Sequence, residues 1–539
     1  MPSGAGLHAL ETVILLLLIM VAVFAVVAHR LKVPYPIVLV LAGLAISFVP
    51  HMPRIPLDPS LIFLIFLPPL LNSAAWGTSW REFRSNLVLI SMLAIGLVGF
   101  TVWGVSLFSE HFITALDWKA GFLLGAVVAT TDAIAATSIA KSIGLPRKIV
   151  DILEGESLLN DATGLLALEL GLGIIMSGST PSIGGSTLRL LYLIIGGVGI
   201  GLLIGVVVAW LERFIDNGPI EIVVSVVVPY AAYLAGEHVR ASGVLAVVAC
   251  GLFLSRRSAT FFSPGVRIQV MAVWDALTFI MNGLVFVLIG LQLPYVLAGI
   301  RGAYGMVTLL EYGALFSIIL IALRMVWVFP AVKMASLVRR WTGHADKPVG
   351  NRAVFVIGWT GMRGVIALAA AISVPETLSY GRTFAPRNLI VFLAFCVILV
   401  TLVLQGLTLP SLIRVLGMAG ATDMSSEERE ARKMALQEAI AYLEEGRKSR
   451  GEAFFHAFDD LLDRYQHRLV GLESGHGEDD HHDDANIYRH VIELAEGAVQ
   501  AERRVIIRLR DEGRISDDVL RAMERELDLE ESRYQVARL

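Results

Sequence analysis

The chain has 539 residues, of which 55% are hydrophobic and only 17% charged, with a mean hydropathy of +0.69. A soluble domain would carry about a quarter charged residues, so a purely soluble fold is excluded for most of the chain. The formal charge of −4 is unevenly divided: residues 1–420 hold 26 Lys+Arg and 19 Asp+Glu, a net of +7, and residues 421–539 hold 18 and 29, a net of −11.

A charge-poor body, 1–420, is therefore expected to carry an acidic soluble tail, 421–539. No basic excess points to nucleic acid. Cys250 and Cys396 both sit in apolar runs, as small buried hydrophobes do, and imply neither a disulfide nor a metal framework. The first apolar run, Leu10 to Ala28, lacks a basic leader and a small-residue cleavage site, and reads as a retained span.

About 20 apolar residues cross a ~30 Å hydrocarbon core. Thirteen stretches qualify: roughly 9–28, 34–50, 60–76, 87–108, 119–140, 149–176, 190–211, 220–237, 241–255, 268–292, 305–332, 353–374 and 388–415. One alternate set of loops holds sixteen Lys/Arg, among them Arg30, Arg84, Arg213, Arg256 and Arg340; the other set holds seven, including Arg54, Arg189, Arg240, Arg301 and Arg382. Basic loops face the cytoplasm. The N-terminus is expected outside and the tail inside, as an odd number of spans requires.

The tail mixes Ala, Glu, Arg and Leu at helical spacing in SSEEREARKMALQEAIAYLEEG and AEGAVQAERRVIIRLRDEG. Between them ESGHGEDDHHDD, with His476, His481 and His482, lacks fixed ligand spacing and reads as a solvated acidic loop.

Ionisable residues inside a bilayer cost at least ~2.5–3.5 kcal/mol each at its centre, so each one points to function. The fifth span holds Thr131 and Asp132 halfway along GFLLGAVVATTDAIAATSIA, and the sixth holds Asp161 within IVDILEGESLLNDATGLLALEL. At 1.5 Å per residue the two aspartates lie ~12 and ~18 Å from the cytoplasmic end, near the midplane of adjacent antiparallel helices. Glu154, Ser157 and Asp161 share one helical face, with Glu156 and Asn160 on the neighbouring stripe. Together with Thr131 they supply the carboxylate, hydroxyl and amide oxygens that hard cations prefer. The plainer reading, helix–helix glue, normally uses Ser, Thr or Asn rather than four carboxylates.

The twelfth span, FVIGWTGMRGVIALAAAIS, places Arg363 at its middle with Gly358, Gly361 and Gly364 at steps of three. Each Gly weakens a helix by ~1 kcal/mol against Ala, so an interruption is expected. A midplane Arg needs a carboxylate, and Glu156 is the expected partner. Two six-span units, 1–6 and 8–13, would run inverted, and span 5 would correspond to span 12. Half-helix ends would then meet at a crossing, with Asp132 and Arg363 compensating their partial charges. Pro68–Pro69 in span 3 suggests a kink lining a cavity. Asp275, Asn282 and Arg324 are expected to form structural pairs, and Glu169 has no assigned role.

These residues resemble the monovalent cation/proton antiporter-1 family. GESLLNDATGL looks like its Asn-Asp motif, TTDAIAATSIAKSIGLP its Thr-Asp span, GMRGVIALAAAI its arginine span and FLPPLLNSAAW its double-proline span. The resemblance covers about Leu10 to Leu416. It implies an all-α polytopic fold of 13 spans in two inverted repeats with interrupted crossing helices, a dimerisation domain and a moving core. It further implies Na⁺ coordination by Asp161, Asp132, Ser157 and the backbone of Thr131. Asn160 would steady the crossing and Glu156 would pair with Arg363.

The expected function is exchange of Na⁺ or Li⁺ for H⁺ across the inner membrane by a homodimer in the lipid bilayer, without a cofactor. Electrogenic members, the resemblance implies, carry a second aspartate where this chain has Asn160, so one-for-one exchange is expected. A K⁺/H⁺ antiporter of the same fold is the alternative. A channel or a membrane-anchored sensor is more distant: no filter-like motif appears, and a buried Asp pair has no use in an anchor.

Overall fold

The computed structural model describes residues 4–49, 59–113, 115–177, 182–215, 217–300, 304–341, 349–377, 383–419, 426–449, 455–473, 482–512, 514 and 517–537. Arg54, Arg301, Lys347 and Arg382, counted above for orientation, and His476 and His481 lie outside them. The chain forms two compact units, Met1–Ala421 and Thr422–Leu539.

The first unit is helical. It begins with α1 (Gly4–Leu31), α2 (Tyr35–Ser47), α3 (Pro59–Ile65), α4 (Leu67–Gly77), α5 (Trp80–Ser91) and α6 (Leu97–Phe112). It continues with α7 (Trp118–Ala129), α8 (Ala133–Ile143), α9 (Arg147–Ser177), α10 (Ile183–Leu211), α11 (Gly218–His238), α12 (Gly243–Phe261) and α13 (Pro264–Leu291). The last six are α14 (Leu293–Ile300), α15 (Met306–Trp341), α16 (Asn351–Trp359), α17 (Val365–Ser373), α18 (Arg387–Val400) and α19 (Gly406–Val415).

Nine helical stretches among the described residues are long and apolar enough to cross a membrane. Helices also fill the four remaining expected spans: α2, α3–α4, α12 and α16–α17. In lipid every backbone polar group must be satisfied internally, which is why these apolar sequences become helices. Their starts are capped by short polar side chains: Asp117, Ser182, Asn217, Ser242 and Ser263 each accept a backbone N–H three residues on.

Five departures from regular helix bear on the site. Phe66 separates α3 from α4, whose first turn contains Pro68 and Pro69. Two wide π-helical turns, Met92–Gly96 and Thr401–Gln405, join α5 to α6 and α18 to α19. In the first of these Met92 O accepts from Trp327 Nε1 (3.1 Å) and Ala94 O from Thr163 Oγ1 (2.6 Å). The breaks that matter most are Thr130–Asp132 between α7 and α8, and Thr360–Gly364 between α16 and α17. Span 12 is interrupted as its glycines suggested, and span 5 is interrupted too.

The second unit holds α20 (Ser426–Ser449), α21 (Phe455–Glu473), α22 (His482–Asp511) and α23 (Asp517–Ala537). His482 therefore opens a helix. Val499 and Ile506 on α22 meet Leu520 and Leu527 on α23, each pair seven residues apart, the spacing of a helix–helix seam. Arg503 beside that seam reaches Asp528 at 2.7 Å and Glu531 at 2.8 Å.

Candidate ion site at the crossing of two broken helices

The two breaks cross in contact. The Asp132 N–H donates to Met362 O at 2.9 Å, so each interruption supplies a backbone group that the other uses. Four half-helix ends converge here, with partial positive charge at N-termini and negative charge at C-termini.

The C-terminal ends are met by arginines. Arg363 Nη1 donates to Ala129 O (2.7 Å) and Thr130 O (2.8 Å) at the end of α7. Arg324 of α15 donates from Nε to Gly358 O (3.2 Å) and from Nη2 to Ile357 O (3.0 Å) near the end of α16. The N-terminal ends are met by Asp132, whose Oδ1 accepts the Ile134 N–H of α8 at 2.8 Å. Its other oxygen lies against Gly364, the N-cap of α17, which has no side-chain cap of its own. A Cβ on Gly364 would occupy the position of that carboxylate, and one on Gly361 would strike the Arg324 side chain. Glycine is needed at both because charged groups pack directly on the backbone.

The compensation of half-helix ends by Asp132 and Arg363 matches the reading from sequence. The expected Glu156–Arg363 pair does not form. Glu156 is held by Arg324, through Nη1 to Oε1 at 2.5 Å and Nη2 to Oε2 at 2.9 Å, both side chains almost wholly buried. Arg363 turns instead to the α7 carbonyls. The reason is local: Arg363 sits within the break that crosses α7, whereas Arg324 reaches across from α15 to both α16 and Glu156. Arg324 is thus the structural pair expected of it, and a fork-to-fork pair is the strongest geometry for a carboxylate.

From Glu156 a buried chain runs to the break. Thr131 Oγ1 donates to Glu156 Oε1 (3.1 Å) and accepts from the Asn160 amide. Ser157 Oγ donates to Thr131 O at 2.9 Å. Glu156 and Asn160 therefore fix Thr131 from behind, while α9 continues unbroken through Asp161.

Asp161, Asp132, Ser157 and Thr131 all line one cavity of about 220 Å³. Asp161 is 3% exposed, and its Oδ1 has no hydrogen-bond partner among the described residues. Phe66, Leu67 and Ala74 form part of the wall, so the double-proline kink lines the cavity as expected. Glu154, Ser73 and Gly77 line it too, toward the basic-loop ends of α4 and α9.

Asn282 and Thr278 of α13 also line the cavity, and the Asn282 side chain hydrogen-bonds Tyr35, the structural pair expected of it. Asp275 is exposed and has no side-chain partner among the described residues. Its spacing to Thr278 and Asn282 (i+3, i+7) puts it on the cavity-facing side of α13, a signal that the sequence already contained. Glu169 pairs with Arg189 at 3.3 Å on the surface. The described residues contain no group of three or more His, Cys, Asp or Glu able to hold a metal. The site offers oxygen atoms from carboxylates, a hydroxyl and a carbonyl, which suits a hard monovalent cation or a proton.

Comparison with known proteins agrees with this geometry. The family described as sodium/hydrogen exchanger, transmembrane, matches residues 14–415. An uncharacterised Na⁺/H⁺ exchanger of Mycobacterium tuberculosis is 34% identical over 526 residues, spanning 96% of this chain and 95% of that one. A sodium, potassium, lithium and rubidium/H⁺ antiporter of Bacillus pumilus is 31% identical over 425 residues, spanning 77% of this chain and 63% of its own. The solved structure of the sodium proton antiporter MjNhaP1 from Methanocaldococcus jannaschii has the same fold, with a TM-score of 0.57 and 20% identity, covering 76% of this chain and 99% of that one. With its membrane body matched almost end to end and two broken helices crossing at a buried aspartate, this chain is a multi-pass membrane protein of the sodium/hydrogen exchanger family.

Proposed function

We propose that the chain exchanges Na⁺ for H⁺ across the inner membrane, with cation and proton competing for Asp161. The observation that carries the reading is the Asp161 carboxylate, buried with an unpartnered oxygen in a cavity shared with Asp132, Ser157 and Thr131. Those four residues supply the cation ligands, and no covalent chemistry is involved. Asn160, Glu156 and Arg363 support the crossing without touching the ion. The cavity reaches toward Glu154 and Gly77, so this conformation faces the cytoplasm, given an outside N-terminus and an inside tail. Alternating access follows from rocking of the broken helices and α9 against the rest. The chain acts as a homodimer in this reading, as its family resemblance implies, and cross-linking in native membranes tests that.

The charge balance supports one-for-one exchange. Arg324 and Arg363 give +2 and Glu156, Asp132 and Asp161 give −3, a sum of −1 when all are ionised. One monovalent cation or one proton neutralises it. K⁺ as the cation is the second reading, favoured by the Bacillus pumilus relative, which is named for potassium as well as sodium. Proteoliposomes carrying a pH-sensitive dye decide among the ions. Na⁺ or Li⁺ added to acid-loaded vesicles should release protons; a response to K⁺ alone would replace Na⁺ by K⁺. Asp161→Asn, which keeps the shape, should abolish the response, and Asp132→Asn should leave at most a small residue. Near wild-type exchange by Asp161→Asn would overturn the assignment.

A further inference from the structure

The helix that carries Asp161 has a second cavity against its other side. A crevice of about 420 Å³ runs between α5 and α9 on one side and α10 and α12 on the other. Its walls are overwhelmingly apolar: Leu159, Ala162 and Leu166 of α9 face Leu193 of α10 and Leu245 and Leu252 of α12. An ion has no oxygen ligands along such a path, so it is not a second route for the transported cation.

The two ends of the crevice differ. Ser242 marks one end of its α12 wall and Arg256 the other. The fourteen steps between them rise ~21 Å at 1.5 Å each, more than the ~15 Å depth of one leaflet's hydrocarbon. At the Arg256 end the crevice is rimmed by Arg84 of α5 and by Trp80. Both arginines are exposed, and neither has an ion-pair or hydrogen-bond partner among the described residues. They belong to the basic-loop set, at the membrane face where acidic lipids attract Lys and Arg. Trp80 is 40% exposed and stacks on Phe83, as amphipathic rings do at the headgroup level.

We propose that this crevice binds one acidic glycerophospholipid, with an acyl chain between α9 and α12 and its phosphate bridged by Arg84 and Arg256. Charge and length argue together. A trough deep in the hydrocarbon and lined by Leu and Ala matches a fatty chain. Two uncompensated guanidiniums at its mouth match a phosphodiester whose headgroup brings no positive charge. A zwitterionic lipid would carry its own cation into the same rim. The lipid would touch both α5 and α12, and so lie between the helix bearing Asp161 and the helices opposite.

Native mass spectrometry of the full chain, purified in detergent and titrated with dioleoyl phosphatidylglycerol or dioleoyl phosphatidylcholine, tests this. One phosphatidylglycerol should bind at least about tenfold more tightly than phosphatidylcholine, because two basic residues near the surface both favour the acidic lipid. The double variant Arg84→Gln with Arg256→Gln should lose that preference. Arg30→Gln with Arg414→Gln removes the same charge from the same membrane face, on α1 and α19, neither of which lines the crevice, and should keep it. Ala249→Trp, which fills the trough and leaves both arginines, should weaken both lipids. Equal affinity for the two lipids in the wild type would overturn the proposal, as would equal loss in the two double variants. Displacement of the lipid by inorganic phosphate alone would remove the acyl-chain half of it.

Discussion

The two broken helices occupy corresponding places in the two halves of the membrane body, yet they are compensated unequally. Each C-terminal half-end has its own arginine: Arg363 for α7 and Arg324 for α16. The two N-terminal half-ends share one carboxylate, since Asp132 caps α8 and packs against Gly364 at the start of α17. Arg324 in turn is neutralised by Glu156, while Arg363 has no carboxylate bonded to it among the described residues. The positive side of the crossing is thus built from arginines bonded to backbone carbonyls, and the negative side from carboxylates, the proposed cation and proton ligands. In the proposed reading Asp161 on the unbroken α9 and Asp132 in the break of span 5 carry the exchange, and the break of span 12 holds them in place.

The sharpest way to break this comparison is to remove the two arginines separately. Arg324→Ala leaves Glu156 buried and unpaired, a loss of roughly 3–5 kcal/mol, visible as a large drop in melting temperature in detergent. Glu156→Gln combined with it should recover part of that loss. Arg363→Ala should instead remove two charge-assisted hydrogen bonds to α7, about 1.5–3 kcal/mol each before relaxation, and Glu156→Gln should not rescue it. Rescue of Arg363→Ala rather than Arg324→Ala would restore the pairing that the sequence alone suggested.

That pairing shows where sequence reading stops. Asp132 and Asp161 were legible because charge is expensive in a bilayer and both fall near the middle of apolar runs. The break of span 12 was legible because three glycines in seven residues disfavour a helix. The partner of Glu156 was not. Two midplane arginines, Arg324 and Arg363, lie on different helices, and helical spacing orders residues within a helix without saying which neighbouring helix faces them. The π turns at Met92–Gly96 and Thr401–Gln405 were equally hidden, because side chains distant in sequence, such as Trp327 and Thr163, accommodate the first of them. Asp275 was visible only as an isolated charge until Thr278 and Asn282 were seen to line the cavity.

A smaller effect is expected at the glycines, and it should divide the same way. A methyl at Gly361 presses on Arg324, and one at Gly364 presses on the Asp132 carboxylate. Overpacking of this kind costs about 1–3 kcal/mol. Gly361→Ala should behave as a weak Arg324 variant, with a lowered melting temperature and transport largely retained by the folded fraction. Gly364→Ala should behave as an Asp132 variant, losing exchange out of proportion to stability. Measuring melting and vesicle exchange on both proteins checks the division; the same phenotype for both would mean that the crossing responds only to general crowding.

The smallest predicted effect is none at all. With Arg324, Arg363, Glu156, Asp132 and Asp161 summing to −1, one Na⁺ or one proton brings the crossing to neutrality on either journey. Asn160 contributes no titratable group; its amide is spent on Thr131. Each uncompensated charge carried across would couple to the membrane potential by ~2.3 kcal/mol per 100 mV, enough to change a rate many-fold. Exchange in proteoliposomes should therefore be the same with and without an imposed thiocyanate diffusion potential, which leaves K⁺ and Na⁺ gradients untouched. Acceleration under that potential would mean that a second proton travels. Asp132 would be its carrier, because it lies beside Asp161 in the cavity and no arginine bonds its carboxylate among the described residues, and the balanced charge of the site would then hold only in its cation-loaded form.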